Sequence, residues 1–355
     1  MQTTAKKKSP LHLLLNAVIE PRDADFWLQK INPLWSVYQS LGQIVAKEQS
    51  AQDMVSLTIQ VNRHFHMGQA GQHHPVFVVV DGVRYERTYS LTTLDAQHVL
   101  LTVKKVPQGK VSTWLVDQAK VGDLIEFSAP YGEMQVPKTT APLLLLAAGS
   151  GITPMYSLLE HLVSSKQITD QAVTLWYWVK TKQDAAFVEK LSAWAAAYPN
   201  FNFDVFYTQE QPQAQRLSAV HAAQVEHLSQ TTVYACGPSG FAHTAQTLFA
   251  DAALLHTEAF SMTPASSADL GFVNITLTQS KQVLTIPKGQ SILASLEQQN
   301  VKPKHGCRMG ICNKCACNKV EGSTQNMVNG LQNTEPGNLL KICVNSAQSD
   351  LVIDL

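Results

Sequence analysis

The sequence lacks the features that mark several large protein classes. Its 27 basic and 27 acidic residues balance, and charged residues make up only 15% of the chain. This balance does not provide the basic surface that sequence-independent binding of nucleic acids requires. The apolar content of 45% is typical of a globular chain rather than a disordered one. We therefore expect a folded protein that has no nucleic-acid partner.

Long hydrophobic runs are also missing from the sequence. No apolar stretch reaches the ~20 residues that a helix needs to cross a bilayer. The first residues, MQTTAKKKSPLHLLLNAVIE, begin with lysines as an export signal does. However, His12 and Asn16 interrupt the apolar stretch, and no small-residue cleavage site follows. The sequence thus predicts a cytoplasmic protein that is not itself transmembrane.

Cysteine is scarce, and four of the six cysteines lie between residues 307 and 317. Since disulfides are rare in the cytoplasm, a metal centre explains this group better than a disulfide framework. Four residues separate Cys307 from Cys312 and two separate Cys312 from Cys315, and Cys343 follows later. This is the plant-type [2Fe–2S] ligand pattern, which predicts these four cysteines as the ligands of a cluster.

A zinc site is the alternative for the same cysteines. Cys312 and Cys315 alone would fit a zinc ribbon, but such ribbons usually contain two short spacers and the second is missing here. Cys317 has no ligand role in the iron–sulfur pattern, and we interpret it as a buried small residue. The basic residues around the cysteines indicate either solvated loop charge or a docking rim for an acidic partner. These residues are Lys302, Lys304, Arg308, Lys314 and Lys319.

The chain of 355 residues is too long for one ordinary core and divides by pattern into five segments. Residues 1–42 have a helical pattern and form an N-terminal arm. Residues 43–140 combine alternating apolar residues with turn signals, which is typical of a small antiparallel β-barrel. Residues 141–262 alternate apolar strands with helices and indicate a parallel sheet covered on both faces. Residues 263–270 form a linker, and residues 271–355 carry the cysteine pattern.

Two motifs in the barrel segment predict a binding site for a flavin. In the Arg-Thr-Tyr-Ser motif, an arginine and a serine on one strand can bind phosphate while the tyrosine lies along an aromatic ring system. In the second motif, GKVS, a turn and a helix start offer backbone amides and a serine hydroxyl to a pyrophosphate. The predicted cofactor-binding residues are Arg87, Thr88, Tyr89, Ser90, Gly109, Lys110, Val111 and Ser112.

Two further motifs, AAGSGITPM and CGP, end apolar strands in residues 141–262. Glycines let the phosphates of a dinucleotide approach the backbone, and proline is well placed in the first turn of a helix. The third glycine of the dinucleotide-binding fingerprint is absent, so the first motif alone is a weak signal. The predicted cofactor-binding residues are Gly149, Gly151, Pro154, Gly237 and Pro238.

Together these motifs resemble the ferredoxin–NADP reductase superfamily, and residues 271–355 resemble a plant-type ferredoxin domain. The segments CRMGICNKC and KICVNSAQSDLVIDL carry the second resemblance. The resemblance implies a multidomain fold with an antiparallel flavin-binding β-barrel, a parallel-sheet nucleotide-binding domain and a ferredoxin domain of β-grasp fold. It implies FAD rather than FMN, because residues 109–114 are similar to the segment that receives the FAD pyrophosphate. Electrons would then pass from NAD(P)H through FAD to the [2Fe–2S] cluster.

The same resemblance implies catalytic roles for three residues. Thr153 would lie where flavin and nicotinamide meet. Cys236 would lie beside the nicotinamide and serve hydride transfer rather than act as a nucleophile. Phe260, in the segment HTEAF, would lie near the flavin. A buried core cysteine and an ordinary core phenylalanine are the alternative interpretations of Cys236 and Phe260.

The choice between NADPH and NADH should depend on the segment after the second strand of the sheet, WYWVKTKQD. Lys180 and Lys182 could meet a 2′-phosphate there, and no acidic residue of this segment stands at the strand tip. Lysines on a solvated loop are the alternative. We predict NADPH as the coenzyme, with NADH as the second choice.

The arm segment FWLQKINPLWS and the barrel segment GQAGQHHPVFVVVDGVRYERTYSLTT resemble bacterial reductases of membrane-bound, stearoyl-CoA-type fatty acid desaturases. The resemblance implies an NAD(P)H-dependent oxidoreductase that passes electrons to a membrane acyl desaturase and reaches the inner membrane through that partner. The alternative is the reductase component of a soluble Rieske-type or other oxygenase or hydroxylase. A redox-sensing module without turnover is a third reading, against which three cofactor sites argue.

Overall fold

Three sheet-based domains follow one another along the chain, and together they confirm the predicted fold class. The computed structural model describes residues 21–107, 109–210, 216–261, 271–328 and 330–355. The predicted linker and the first half of the predicted arm lie outside these residues. Within them, no helix combines the length and the apolar composition that crossing a membrane would require.

The described part of the arm is one helix, α1 (Pro21–Ile31), followed by turns. Asp25 fixes the arm, because its carboxylate accepts hydrogen bonds from the Ser36 hydroxyl (2.8 Å) and the Val37 backbone N–H (2.6 Å). The Asn62 side-chain amide donates to the carbonyls of Leu34 and Gln39 and ties the arm to the barrel. The arm therefore packs on the barrel, as a segment with little core of its own must.

The barrel domain is a closed, six-stranded antiparallel barrel with the strand order β1-β2-β5-β4-β3-β6. Its strands are β1 (Leu41–Ala51), β2 (Met54–Val61), β3 (His73–Val80), β4 (Val83–Thr93), β5 (His98–Lys104) and β6 (Leu124–Phe127). Asp81 and Gly82, both with positive φ, form the tight turn between β3 and β4, as hairpins of this length require. A short helix, α2 (Lys110–Thr113), and a π-helical turn (Trp114–Gln118) precede β6.

The nucleotide domain is a five-stranded parallel sheet with the order β11-β10-β7-β8-β9. Its strands are β7 (Leu143–Ala148), β8 (Val173–Val179), β9 (Phe201–Tyr207), β10 (Thr232–Pro238) and β11 (Leu254–Ser261). Its helices are α3 (Ile152–Ser164), α4 (Val188–Ala197), α5 (Ala219–Ala222) and α6 (Ser239–Leu248). Leu143 and Leu145 enter one core and Leu144 and Leu146 the other, so the apolar run of β7 serves both faces of the sheet.

The ferredoxin domain is a mixed five-stranded sheet with the order β13-β12-β19-β14-β17, beside a small three-stranded sheet β16-β15-β18. Its elements are β12 (Phe272–Leu277), β13 (Gln282–Pro287), α7 (Ile292–Gln298), β14 (Ala316–Glu321), β15 (Thr324–Asn326), β16 (Gln332–Asn333), β17 (Asn338–Lys341), β18 (Asn345–Ala347) and β19 (Leu351–Ile353). One apolar face of α7 fills the core against the sheet, the arrangement of a β-grasp domain.

The strand order of the nucleotide domain determines where a ligand can bind. The chain runs outward from β7 to β9 and then returns to β10 on the other side of β7. In such sheets, ligands bind outside the carboxyl ends of the strands at this switch point. One of the two glycine motifs predicted from the sequence follows β7, and the other ends β10.

Candidate functional site

A cavity of about 650 Å³ opens at this switch point, and residues of all three domains line it. Of the residues predicted from the sequence, those that line the cavity are Arg87, Thr88, Tyr89, Ser90, Gly109, Val111, Ser112, Gly149, Thr153, Pro238, Phe260 and Cys307. Those outside the lining are Lys110, Gly151, Pro154, Cys236, Gly237, Cys312, Cys315 and Cys343. The fold thus brings the flavin motif, the nucleotide motifs and one cluster cysteine to one place.

Strand β4 supplies a cation and hydroxyl groups to the cavity. Burial and the nearby charge of Arg308 lower the pKa of Arg87, so the Arg87 guanidinium is a partly desolvated cation of the kind that attracts a phosphate. Burial raises the pKa of Tyr89 and keeps its phenol neutral. The hydroxyls of Thr88 and Tyr131 form a hydrogen bond of 2.8 Å. These properties fit the flavin role predicted for the strand.

The turn before α2 is built around Gly109. A Cβ at this position would lie 2.5 Å from the Ser112 hydroxyl oxygen, so the turn needs glycine. The Ser112 hydroxyl donates to the Gly109 carbonyl and accepts from the Val106 N–H, and it therefore holds the turn together. Because these bonds already occupy the Ser112 hydroxyl, a pyrophosphate at this turn would be bound mainly by backbone amides.

The glycines after β7 bring the nucleotide-domain motifs into contact. A Cβ on Gly151 would lie 2.0 Å from the Cys236 carbonyl oxygen, so only glycine lets this turn approach the end of β10. Gly149 has a φ of +55°, a conformation that glycine adopts at low cost. Gly151 is therefore a packing residue, whereas Gly149 lines the cavity.

The three predicted catalytic residues occupy different environments. Thr153 lines the cavity, and its hydroxyl donates to the Ser150 carbonyl (3.1 Å). Phe260 also lines it and packs edge-on against the ring of His73, with 5.8 Å between ring centroids. Cys236 is fully buried, and burial raises the pKa of its thiol well above the usual value. A neutral, buried thiol is no nucleophile, which fits both interpretations of Cys236, the residue beside the nicotinamide and the buried core cysteine, so its role in hydride transfer stays a prediction.

Sequence reasoning missed a buried hydrogen-bonded network at the cavity. His73 Nδ1 lies 3.0 Å from the Ser90 hydroxyl oxygen, and His73 Nε2 lies 2.8 Å from Glu258 Oε2. Burial opposes ionisation of Glu258, but the hydrogen bonds of His256 and His73 outweigh it and lower the pKa of this carboxyl to about 2. A carboxylate within a strand of a parallel sheet is the signal that could have revealed Glu258.

The ionised carboxylate orients the His73 ring. Since Glu258 only accepts hydrogen bonds, His73 Nε2 must donate to it. His73 Nδ1 then faces the Ser90 hydroxyl and forms a hydrogen bond with it. The network thus holds Ser90 in position and joins the barrel domain to the nucleotide domain.

The four predicted ligand cysteines lie together in two pairs. The Cys312 thiol lowers the pKa of Cys307 to about 6 by hydrogen bonding, and the Cys343 thiol lowers that of Cys315 to about 7. The backbone N–H groups of Met309 and Cys312 also point at the Cys307 sulfur, at 3.3 and 3.4 Å. One thiol of each pair thus favours the thiolate, the form that iron binds, whereas the pKa values of Cys312 and Cys343 are raised because these thiols supply the hydrogen bonds.

The two pairs of thiols supply the four donors that a binuclear cluster requires. A [2Fe–2S] cluster needs two thiolates at each iron, and this donor set supplies them. Cys317 is half-buried, and burial raises the pKa of its thiol to about 12.

Of the five basic residues that the sequence left as either solvated charge or a docking rim, Lys319 is buried and belongs to neither. Lys319 is only 1% exposed, and its ammonium group donates to the carbonyls of Gly322 and Asn333. Arg308 forms an ion pair with Glu297, and the ammonium group of Lys314 pairs with a carboxylate of the barrel, on Glu86. Tertiary contacts that the local sequence does not reveal use these charges inside the molecule. Lys302 and Lys304 remain exposed.

An acidic residue from another part of the chain lies beside the segment after β8. Lys180 and Lys182 are exposed there, as predicted for a 2′-phosphate site. However, the backbone N–H of Lys182 donates to the Glu210 carboxylate at 2.8 Å. The tip of the strand β8 therefore has an acidic neighbour, which comes from the loop after β9. The choice of NADPH stays a prediction.

Comparison with known families assigns each domain. Residues 42–136 match the oxidoreductase FAD-binding domain family, and residues 145–247 match the oxidoreductase NAD-binding domain family. Residues 275–344 match the 2Fe-2S iron–sulfur cluster binding domain family. The residues present fit these groups, since the cavity offers a cation and close backbone approach, and the cysteines offer paired thiolates.

Two relatives and one solved structure extend this similarity over the chain. An NADPH oxidoreductase of Mycobacterium tuberculosis is 34% identical over 349 residues, which cover 95% of this chain and 90% of the relative. The phthalate dioxygenase reductase of Burkholderia cepacia is 26% identical over 88% of this chain and 96% of its own. A solved structure of phthalate dioxygenase reductase matches with a TM-score of 0.65 and 25% identity, over 89% of this chain and 97% of that chain.

Proposed function

Because the chain belongs to the family of oxidoreductases that join an FAD-binding, an NAD-binding and a [2Fe–2S] domain, we propose that it is the reductase component of an oxygenase system. When bound, the three groups supply the redox chemistry, in which a pair of electrons from NAD(P)H leaves the protein as single electrons. Relatives named as phthalate dioxygenase reductase and as the ferredoxin reductase component of 3-ketosteroid-9-alpha-monooxygenase support this partner class.

The cavity shared by three domains is the observation that carries the proposal. Arg87 and the turn at Gly109 would hold FAD, and Thr153 and Pro238 would receive the nicotinamide. Cys307 lines the same cavity, so a cluster held by the four cysteines would border the flavin. The protein residues position these groups, hold Ser90 in place and exclude water from the buried ends of the strands.

We propose NADPH as the coenzyme, on two grounds. Lys180 and Lys182 are exposed beside the strand tip where the adenine ribose binds in sheets of this kind. The Mycobacterium tuberculosis relative is named as an NADPH oxidoreductase. Glu210 is the residue that would favour NADH, through a hydrogen bond to the ribose 2′-hydroxyl. Replacing Glu210 with glutamine should therefore increase the preference for NADPH.

The test of the proposed function uses the purified holoprotein. We expect NADPH to reduce first the flavin absorbance and then the cluster absorbance, and to support reduction of cytochrome c. Addition of a candidate oxygenase component should then give NADPH-dependent product. If NADPH and NADH both fail to reduce either cofactor, the proposed function is wrong.

A membrane-bound acyl desaturase is the second candidate partner, and the arm supports it. Phe26, Trp27, Trp35 and Tyr38 are 56%, 68%, 50% and 47% exposed, an unusual density of surface aromatic residues. Tryptophan and tyrosine are enriched at membrane interfaces, where a reductase of such an enzyme would work beside the lipid. The same arm carries part of the sequence resemblance to desaturase reductases.

Truncation of the arm distinguishes the two partners. Removal of residues 1–40 should abolish electron delivery to desaturase-containing membranes if the arm contacts partner or lipid. Cytochrome c reduction by the same protein is the control for the cofactor domains. Unchanged delivery to the membranes, or product formed only with a soluble oxygenase, would exclude the desaturase.

A further inference from the structure

One ion pair joins the ferredoxin domain to the barrel domain. Lys314 Nζ lies 2.6 Å from Glu86 Oε1, and the two side chains are 43% and 16% exposed. In the described part of the chain, no other ion pair connects these two domains. Lys314 lies in the loop that carries three of the predicted cluster ligands, and Glu86 directly precedes Arg87 on β4.

The surroundings of the pair are shaped to receive the lysine. Phe77 on β3 lies opposite Glu86 in the strand register, and Lys314 Nζ is 5.7 Å from the centroid of its ring. The lysine thus contacts both a carboxylate and an aromatic face. A Cβ on Gly306 would lie 2.9 Å from Glu86 Oε1, so glycine lets the loop cross the carboxylate closely.

The contact lies beside the cavity rather than at a remote edge. Cys307, Arg308 and Met309 of the same loop line the cavity next to Arg87 and Thr88. Any shift of the loop along β4 would therefore move the cluster ligands relative to the flavin site. Electron transfer slows steeply as the separation of donor and acceptor grows, so a small displacement has a large effect on its rate.

We propose that Glu86 and Lys314 are positioning residues that hold the cluster loop against the flavin-binding strand and set the rate of electron transfer from flavin to cluster. The step oxidises the reduced flavin by one electron and reduces the cluster by one. No bond forms or breaks between the domains. This inference rests on the electron path of the proposed function.

The test compares charge variants of the holoprotein. Lys314→Glu and Glu86→Lys each place like charges together, which is strongly unfavourable, and should slow cluster reduction after NADPH mixing by about tenfold or more. The rate of flavin reduction should stay unchanged. The double variant restores an opposite pair and should recover most of the rate. If either residue acted independently of this ion pair, the double variant would not recover the rate.

Hydrogen exchange supplies a readout that does not depend on turnover. Exchange in the peptides that cover residues 84–88 and 305–314 should rise in each single variant and return in the double variant. Lys190 and Glu160 are the matched control, because they also form a pair of 2.6 Å with 48% and 17% exposure but lie within the nucleotide domain. Reversing the charge of either residue, by Lys190→Glu or Glu160→Lys, should leave the rate of cluster reduction unchanged.

Several results would overturn the inference. The inference is wrong if both single variants keep the wild-type rate of cluster reduction and the wild-type hydrogen exchange. It is also wrong if the double variant recovers neither the rate nor the exchange. If Lys314→Glu prevents cluster assembly, Glu86→Lys still decides, since Glu86 lies outside the cluster loop. Failure of the wild-type protein to reduce its flavin or cluster would instead contradict the proposed function, and the exchange measurement would still test the contact.

Discussion

Two domain contacts border the cavity, and they differ in burial. On the nucleotide side, His73 and Glu258 are 1% and 5% exposed, and His73 forms hydrogen bonds with both Glu258 and Ser90. On the cluster side, the pair of Glu86 and Lys314 is partly exposed. Removing one partner of a buried charged contact leaves an unpaired charge inside the protein and costs more than removing one partner of a partly exposed pair. We therefore expect the contact between the barrel and nucleotide domains to be the more costly of the two to break.

The largest effect is expected from the loss of a predicted cluster ligand. Cys315→Ser deprives one iron of a thiolate, so NADPH-dependent reduction of cytochrome c should be lost while the flavin still reduces ferricyanide. Steady-state assays with both acceptors measure this difference. Cys317→Ser is the matched control, because its thiol lies outside the two pairs, and it should retain both activities. If Cys315→Ser lost cytochrome c reduction and ferricyanide reduction equally, the cluster and the flavin could not be treated as separate sites.

The next effect comes from a change inside the nucleotide domain, close to its contact with the barrel. Gly151→Ala would place a methyl group against the Cys236 carbonyl oxygen, and backbone on both sides prevents relief. We expect a loss of about 3 kcal/mol in the free energy of unfolding, together with a raised KM for NADPH. Denaturant unfolding and steady-state kinetics measure the two effects. Gly271→Ala, where the nearest atom would be 3.6 Å away, should change neither.

A pH titration sharpens the comparison, because only the nucleotide side contains a strongly perturbed carboxylate. The pKa of Glu258 is about 2 in the folded protein, compared with 4.5 for an unperturbed glutamate. A depressed pKa gives stability that is present above about pH 4.5 and is lost as the pH falls towards 2. The contribution is on the order of 3 kcal/mol. Glu258→Gln should remove this dependence between pH 4.5 and 2, as measured by urea unfolding.

A control for the titration is Glu126→Gln, which removes an exposed carboxylate of the barrel that pairs with Arg84. This variant should keep the acid dependence of the wild type. If Glu258→Gln also keeps it, the buried network does not contribute to the acid stability of the domain contact.

The smallest effect is the response to salt. The Debye length falls from ~10 Å at 0.1 M to ~3 Å at 1 M ionic strength, which weakens an exposed pair much more than a buried one. Added salt should therefore slow cluster reduction severalfold at saturating NADPH and leave the stability of the buried network unchanged. Stopped-flow absorbance at two salt concentrations measures the first effect. Equal salt sensitivity of flavin and cluster reduction would contradict the proposed difference.

Patterns within short segments predicted most of the architecture. The alternating strands of the barrel, the apolar run of β7 and the spacing of the cysteines each report on local geometry, so each could be interpreted without the fold. The residues that line the cavity from β4 and from the turn after β7 were predicted for the same reason. Cys236 and Gly151 needed the structure, because their packing role depends on the contact between two distant strand ends.

Residues that act through partners far away in the chain escaped prediction. His73 and Glu258 meet across the boundary of two domains. Glu210 reaches Lys182 from the end of another strand. The basic residues around the cysteines resembled a docking surface until Lys319 proved buried and Lys314 proved paired. A charge in a sequence has no visible partner, so its role cannot be assigned from its neighbours alone.

By itself, the sequence predicted the three domains, their order and the cofactor classes, because periodicity, the spacing of the cysteines and the family resemblance all rest on short segments. The four cysteines as cluster ligands stay a prediction. Only the tertiary structure decided how the domains meet. It placed a buried network on one side of the cavity and an exposed ion pair on the other. The physical reason is that pairing and desolvation depend on distances between residues that the chain keeps far apart.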